Sequence, residues 1–419
     1  MTKGRLWFLA LAAALGGFLF GYDTAVINGG EQQIQAVWSL SSVLHGWVMS
    51  SALWGTVIGA VCGGRVCDRI GRKPTLFGVG VLYLASAVWS ALAAGPYDLM
   101  VARFLGGLGV GASSIAAPVY IAEISPAAER GKLGGLFQFN IVLGMVISQF
   151  VNWAIGTAGF GDATWRWMLG AEAIPALAFT LVTLFMTESP RWLAQTGLGR
   201  RSRPTMEGEN TSVHLSSTPT PRFFSRTNLQ PILLAFAVAA FNQLSGINAM
   251  MYFAKRVFEM AGMTASAALG TAAGLSIVLG LGTFAGLFLI DRLGRRTLLI
   301  VGSIGCVVAH VATAAAFLCD FGLLAAVCIF VFIVFFAMGQ GVVIWVFISE
   351  IFPQRFRAQG QSWGSFTHWS FCAALTFVFP LMAAKWPTWS IFAFFGLCLV
   401  AHLAWAALIC PETRGKALE

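Results

Sequence analysis

The sequence predicts an all-α integral membrane protein: twelve transmembrane helices arranged as two pseudo-symmetric six-helix bundles. Composition is the first reason. Hydrophobic residues make up 58% of the 419 residues and charged residues 10%, against about 25% charged in a soluble domain. With mean hydropathy at +0.78, lipid rather than water must solvate the exterior. The second reason is length, because the chain divides into twelve apolar stretches of about 20 residues, enough to cross a bilayer. The third is repetition. Asp68-Arg-Ile-Gly-Arg-Lys73 returns as Asp291-Arg-Leu-Gly-Arg-Arg296, Glu123-Ile-Ser-Pro as Glu350-Ile-Phe-Pro, and Glu188-Ser-Pro-Arg191, more loosely, as Glu412-Thr-Arg-Gly415. The offsets are 223, 227 and 224 residues (68 to 291, 123 to 350, 188 to 412). Three motifs at nearly one spacing mark an internal duplication. Two homologous membrane halves are the architecture of secondary transporters, which hold cargo between them.

In chain order, the first six spans fall at 6–28, 46–66, 75–93, 98–120, 133–156 and 166–186. The first could pass for a signal peptide, but its apolar run continues through Phe18 to Ile27 and no soluble domain follows, so it is taken as an uncleaved span. The second six fall at 231–257, 266–290, 297–318, 322–347, 358–384 and 388–410. Residues 1–198 and 230–419 are the two halves, joined by a cytoplasmic linker at 199–229 rich in Ser, Thr, Pro and Arg. Its Asn210-Thr-Ser212 sequon faces the cytoplasm and is expected to stay unmodified.

Twelve spans leave both termini on one side. Of the Lys and Arg residues, 21 fall on the face of the repeated motifs, four (Arg166, Lys255, Arg256, Lys385) near the other, and Arg103 inside a span. The positive-inside rule makes the motif face and both termini cytoplasmic, in a plasma (inner) membrane. The net charge of +9 is thereby explained without a nucleic-acid partner. Eight cysteines with no CxxC pair read as small buried hydrophobes, neither disulfide framework nor metal site. No nucleophile–base pair or phosphate loop suggests an enzyme, and no cofactor is expected.

Ionisable groups inside spans mark function. Asp23, Arg103 and Glu172 stand one to two turns below the outer surface in three different spans, so an acid, a base and an acid share one level. Proton coupling through Asp23 and Arg103 is one reading, and a static pin between spans 1 and 4 is the other. Glu172 could instead pair with Arg166. On the motif face, Asp68, Arg69, Arg72, Glu123, Arg130, Glu188 and Arg191 in the first half, with Asp291, Arg292, Arg295, Glu350 and Arg357 in the second, form a candidate gate that locks the halves in an outward-open state. Membrane orientation alone requires only the bases, and here the acids are duplicated too.

Uncharged polar and aromatic residues supply a ligand surface. Gln138 lies in span 5, Asn242, Gln243, Asn248 and Tyr252 in span 7, Trp345 in span 10, and His368 and Trp369 in span 11. Amides both donate and accept, which suits hydroxyl-rich ligands, and tryptophan offers an apolar face to a sugar ring. Interhelical hydrogen bonding is the plainer alternative for each. Gln243 and Asn248 flank Gly246 in an expected helix break, which favours ligand binding for that pair.

The segments GGFLFGYDTAVING, GGRVCDRIGRK, ESPRW, QLSGIN, DRLGRR and PETRG resemble the sugar porter family of the major facilitator superfamily over nearly the whole chain. The resemblance implies the major facilitator fold and alternating access around a central sugar site, with import of a monosaccharide (hexose, pentose or polyol) by proton symport. An uncoupled facilitative carrier and a non-transporting sugar sensor are the alternatives. It assigns proton coupling to Asp23 with Arg103, where facilitative members often carry Asn at the acid's position. Sugar contacts would come from Gln138, Gln243, Asn248, Tyr252 and Trp345, lined by Phe20. Three positions depart from the pattern: Asn242 stands where the family has Gln, Leu279 where an asparagine contacts sugar, and His368 where an Asn or Gln is usual. The central segment is also shorter than the family's helical domain. Expected partners are a monosaccharide, a proton and the lipid bilayer, around a monomer.

Overall fold

A computed structural model of the chain describes residues 2–126, 129–196, 223–353 and 356–414. Among these residues there are helices and turns but no strand, and twelve helices are long and apolar enough to cross a bilayer. Helices satisfy every backbone donor and acceptor within one segment, which lipid cannot do. The first five are α1 (Lys3–Val37), α2 (Ser42–Ile70), α3 (Arg72–Leu92), α4 (Pro96–Ile124) and α5 (Arg130–Ala158). Segments Thr164–Gly170 and Ala173–Leu184 make α6. Three segments, Leu229–Leu244, Ile247–Tyr252 and Ala254–Met260, make α7. Then come α8 (Ala265–Leu293), α9 (Arg295–Leu318), α10 (Gly322–Phe336 and Val342–Ile351, joined by a π-turn at Ala337–Gly341), α11 (Arg357–Lys385) and α12 (Thr388–Leu408).

Residues with side chains on the outer surface are largely apolar: Leu92, Ile174, Phe185, Phe288, Leu323 and Leu408 are all more than 70% exposed. Only a hydrocarbon solvent accommodates such a surface, so the chain is a multi-pass membrane protein. Small residues let the helices approach closely. A Cβ on Gly144 of α5 would strike the carbonyl of Phe18 in α1, and one on Gly107 of α4 would strike the carbonyl of Ala52 in α2.

Helices α1–α6 form one bundle and α7–α12 the other, joined along two seams, α2 against α11 and α5 against α8. Two differences from the expected spans matter. Whereas the first span was expected to end at residue 28, α1 runs nine residues further, because the polar stretch Asn28–Gln35 packs against protein instead of entering water. The sixth span breaks at Ala171–Glu172. Pro175 has no N–H to give the Ala171 carbonyl, which is taken by Ile174 N instead. The expected linker lies outside the described residues up to 222, as does the Asn210 sequon. From Phe223 a 3-10 turn (Arg226–Asn228) leads into α7.

Candidate functional site

Two sites lie in the interior, one in each bundle. In the first bundle the structure brings Asp23 of α1 and Arg103 of α4 together. Arg103 donates from Nη1 to Asp23 Oδ1 (2.6 Å) and from Nη2 to the Asp23 main-chain carbonyl (3.0 Å). Both residues are 2% exposed. The Glu172 carboxyl, at the α6 break, comes within electrostatic and hydrogen-bonding reach of Asp23, and its Oε1 is buried without a hydrogen-bond partner among the described residues. Glu172 makes no ion pair with Arg166. That guanidinium donates to the Ala91 carbonyl (2.9 Å) and covers the Trp165 ring (4.4 Å). Two carboxyls beside one guanidinium, all buried, balance when one proton is held between the acids. Chemically, the cluster is a place where a proton can be taken up and given back.

In the second bundle the broken α7 builds an amide cluster. Gly246 adopts φ +84°, a left-handed conformation open to glycine, and ends the first segment. A Cβ there would also come within 2.8 Å of the Phe395 ring. Gln243 stands at the hub of what the break exposes. Its Nε2 donates to Asn242 Oδ1 (3.0 Å) and lies 3.2 and 3.1 Å from the ring nitrogens of His368. Its Oε1 accepts from Asn248 Nδ2 (2.5 Å). Asn242 in turn donates to the Gln340 carbonyl in the π-turn of α10 (3.2 Å). The rings of Trp345 and Trp369 each lie 5.0 Å from that of His368, and Phe20 of α1 meets Trp369 at 5.6 Å. Amides and aromatic faces thus converge where the two bundles meet.

Tyr252, fully buried at the end of the second α7 segment, lies within electrostatic reach of Asp23 and Arg103 and beside Thr24 of α1. It lies on the same broken helix as Gln243 and Asn248 and approaches the acid–base cluster. Gln138 is exposed on α5, and its side chain makes no hydrogen bond among the described residues. Leu279 packs against an apolar core that the two bundles share.

Residues of the motif face form two matching networks. Arg72 clasps Glu123 (Nε–Oε2 3.0 Å, Nη2–Oε1 2.8 Å) and pairs with Asp68 (3.2 Å), while Glu188 accepts from Arg72 N (3.0 Å) and Lys73 N (3.2 Å). Arg295 clasps Glu350 (3.0 and 2.8 Å) and pairs with Asp291 (3.1 Å), while Glu412 accepts from Arg295 N (2.9 Å) and Arg296 N (3.0 Å). Gly71 (φ +103°) and Gly294 (φ +90°) make the same turn in each. Burial alone would raise the Glu412 carboxyl, but donation from the N–H groups of Arg414, Arg295, Arg296 and Thr413 holds it below the usual carboxylate range. Among the described residues neither network crosses between bundles. Arg69, Arg191 and Arg292 are exposed, the Arg357 Nε and Nη2 are buried without a partner among the described residues, and the Arg130 side chain lies outside the described residues.

A family model described as "Sugar (and other) transporter" matches residues 9–419. The chain belongs to this sugar transporter family. It is 33% identical to the arabinose-proton symporter of Bacillus subtilis (strain 168), over 100% of this chain and 94% of the relative. It is likewise 33% identical to a glucose transport protein of Synechocystis, over 97% of this chain and 95% of the relative. An inward-open structure of the xylose transporter XylE from E. coli superposes with a TM-score of 0.85 at 30% identity, covering 99% of this chain and 98% of that one. The twelve-helix major facilitator architecture of this transporter, and its not being an enzyme, follow.

Several residues of the transporter's interior escaped the sequence. His402 Nδ1 meets Ser303 Oγ (2.9 Å) and Gln340 Nε2 (3.0 Å), and His310 Nε2 meets the Ser245 carbonyl at the α7 break (3.0 Å). Glu31 and His45, both 0% exposed, meet at 2.9 Å. The one available signal was a titratable group within or beside a span.

Proposed function

We propose that this transporter imports a monosaccharide (hexose, pentose or polyol) together with a proton by alternating access. The observation that carries the reading is the buried Asp23–Arg103 pair with Glu172 against it, set across the bundle interface from the amide and aromatic cluster. Asp23 and Glu172 hold the proton, and Arg103 stabilises the deprotonated carboxylate. Gln243, Asn248, Asn242 and Gln138 bond sugar hydroxyls, with Trp345, Trp369, Phe20, His368 and Tyr252 forming the walls. A bound sugar exchanges its hydroxyls for the amide–amide bonds now made within the cluster, which limits the cost of desolvating the amides. Tyr252 connects the two sites. The B. subtilis arabinose-proton symporter supports both cargo class and coupling.

The excess of Lys and Arg on the motif face supports a cytoplasmic placement of that face and of both termini. The matched networks about Arg72 and Arg295, each closed within its own bundle in this structure, meet across the bundles as the inner gate in the outward-open state. Residues 1–198 and 230–419 move as the two halves, with 199–229 as their linker, and one chain suffices for transport. The deciding experiment is uptake of radiolabelled D-xylose, L-arabinose and D-glucose into proteoliposomes with and without an inward proton gradient. Accumulation above equilibrium that collapses with a protonophore is expected. Uptake that equilibrates regardless of the gradient would make the protein a facilitative carrier.

A further inference from the structure

The face opposite the repeated motifs holds a feature that neither the sugar site nor the proton site uses. Asn28, Glu31, Gln32 and Gln35 follow one another at the i, i+3, i+4, i+7 spacing of a single helix face on α1. That stripe grips the last segment of α7, in the other bundle. Asn28 Oδ1 accepts from Lys255 N (3.0 Å), and Gln32 Nε2 donates to Glu259 Oε2 (2.5 Å). Arg256 clasps Glu31 with two parallel bonds, Nε to Oε1 (2.8 Å) and Nη2 to Oε2 (3.0 Å), and reaches Gln35 Oε1 (2.5 Å). Among the described residues this is the only ion pair between the bundles.

His45 of α2 completes the arrangement from the same bundle as Glu31. Its Nε2 lies 2.9 Å from Glu31 Oε2, its Nδ1 is buried without a partner, and its ring meets Phe253 of α7 edge-on at 6.4 Å. A carboxylate with no exposed surface needs charge or hydrogen bonds to stay ionised. Here the cation belongs to the opposite bundle and the histidine to its own. When α7 swings away, Arg256 leaves into water and His45 remains, so Glu31 keeps its orientation and a donor.

We propose that Glu31 and Arg256 form the latch that holds the outer face shut, with His45 positioning the Glu31 carboxylate to receive Arg256 again. This assignment rests on the alternating-access reading, but its test does not depend on identifying the sugar. Bidentate geometry makes the latch an arginine device, since a lysine presents one point charge where the fork offers two parallel donors. Closing sets the buried Glu31 carboxylate against a half-buried Arg256 guanidinium, and opening returns that guanidinium to water.

The test places a reporter thiol at Ala254, which is 2% exposed beside the latch. The full-length A254C protein in proteoliposomes is treated with a membrane-impermeant maleimide, and modification is read peptide by peptide by mass spectrometry. Adding R256Q, or E31Q, should speed modification of the reporter at least tenfold, with R256K between R256Q and the parent. H45Q should speed it less than E31Q does, because the charge pair survives. Native Cys67 and Cys306, 2% and 0% exposed in the two bundles, must stay protected if the fold is intact. Unchanged reporter modification with R256Q and E31Q overturns the latch. Should R256Q expose Cys67 or Cys306, R256K replaces it, and no acceleration there overturns the proposal equally. Failure of uptake in the parent protein would count against the transport reading alone, leaving the accessibility result to stand.

Discussion

Arg103 holds Asp23 twice, once through the carboxylate and once through the main-chain carbonyl of the same residue. The second contact survives any change in the state of the carboxylate, so α1 and α4 stay joined while the acid gains or loses a proton. Asp23→Asn therefore keeps the helix contact and removes the titrating group. Uphill accumulation should vanish in this variant while counterflow exchange persists. Full accumulation in D23N would remove Asp23 from the coupling mechanism. Arg103→Ala instead leaves a buried acid pair without its cation and should destabilise the protein by about 3–5 kcal/mol, read as a lower midpoint of thermal unfolding in detergent.

Gln243 spends its amide nitrogen on Asn242 and His368 and its amide oxygen on Asn248. In the proposed sugar site, removing it costs the partners on both sides of the α7 break. Gln243→Ala should raise the half-saturating sugar concentration by roughly 10- to 100-fold, the worth of one to two hydrogen bonds in a desolvated site. His368→Gln offers a flexible amide in place of a flat ring between two tryptophans, and should change the ranking of D-xylose, L-arabinose and D-glucose in competition assays. An unchanged ranking would make His368 a wall and not a selector.

The backbone at Gly246 is both left-handed and pressed against Phe395. Gly246→Ala carries about 1–2 kcal/mol of backbone strain and a ring displacement besides. The variant should unfold at a lower temperature than the parent and bind sugar poorly, since the break sets the positions of Gln243 and Asn248. Wild-type stability in G246A would mean that the segments can rearrange freely.

On the motif face, Glu412 is held below the usual carboxylate range by four backbone donors. A carboxyl lowered on folding contributes stability above its unfolded value, and that contribution is lost as pH falls through its folded value. Amide protection of Arg295 and Arg296 should therefore be full at neutral pH and decline below about pH 4. Glu412→Gln should lower that protection at neutral pH and flatten its dependence. The same protection in E412Q at pH 7 would show that the carboxylate charge is not what holds the turn.

Most of the fold was legible because its signals are local. Apolar length locates a span whatever its neighbours, and the paired DRxGR motifs announce the two halves before any contact is known. The α7 break was legible too, in Gly246 between amides. What was not legible depends on which helices touch. Asn28–Gln35 reads as the polar end of a span, and only the approach of α7 makes it a buried continuation of α1. Glu172 had two possible partners at similar sequence-derived depth, and the break before Pro175 turns it from Arg166 toward Asp23. The motif-face charges revealed their pairing by repetition, but not that each network closes within its own bundle. His45, His310 and His402 gave no pattern at all, since their partners come from other helices.

Between Phe20 and Glu31, α1 has no break and no residue of positive φ. Eleven residues at helical rise place these two about 17 Å apart, with Asp23 between them. The ring proposed for the sugar wall, the acid proposed to carry the proton and the carboxylate proposed for the outer latch are thus fixed on one unjointed rod. Tilting it by a few degrees displaces all three in a set ratio, so none can shift far while the others stay still. In the proposed mechanism, cargo, ion and entrance are geared to one another by the stiffness of a single helix.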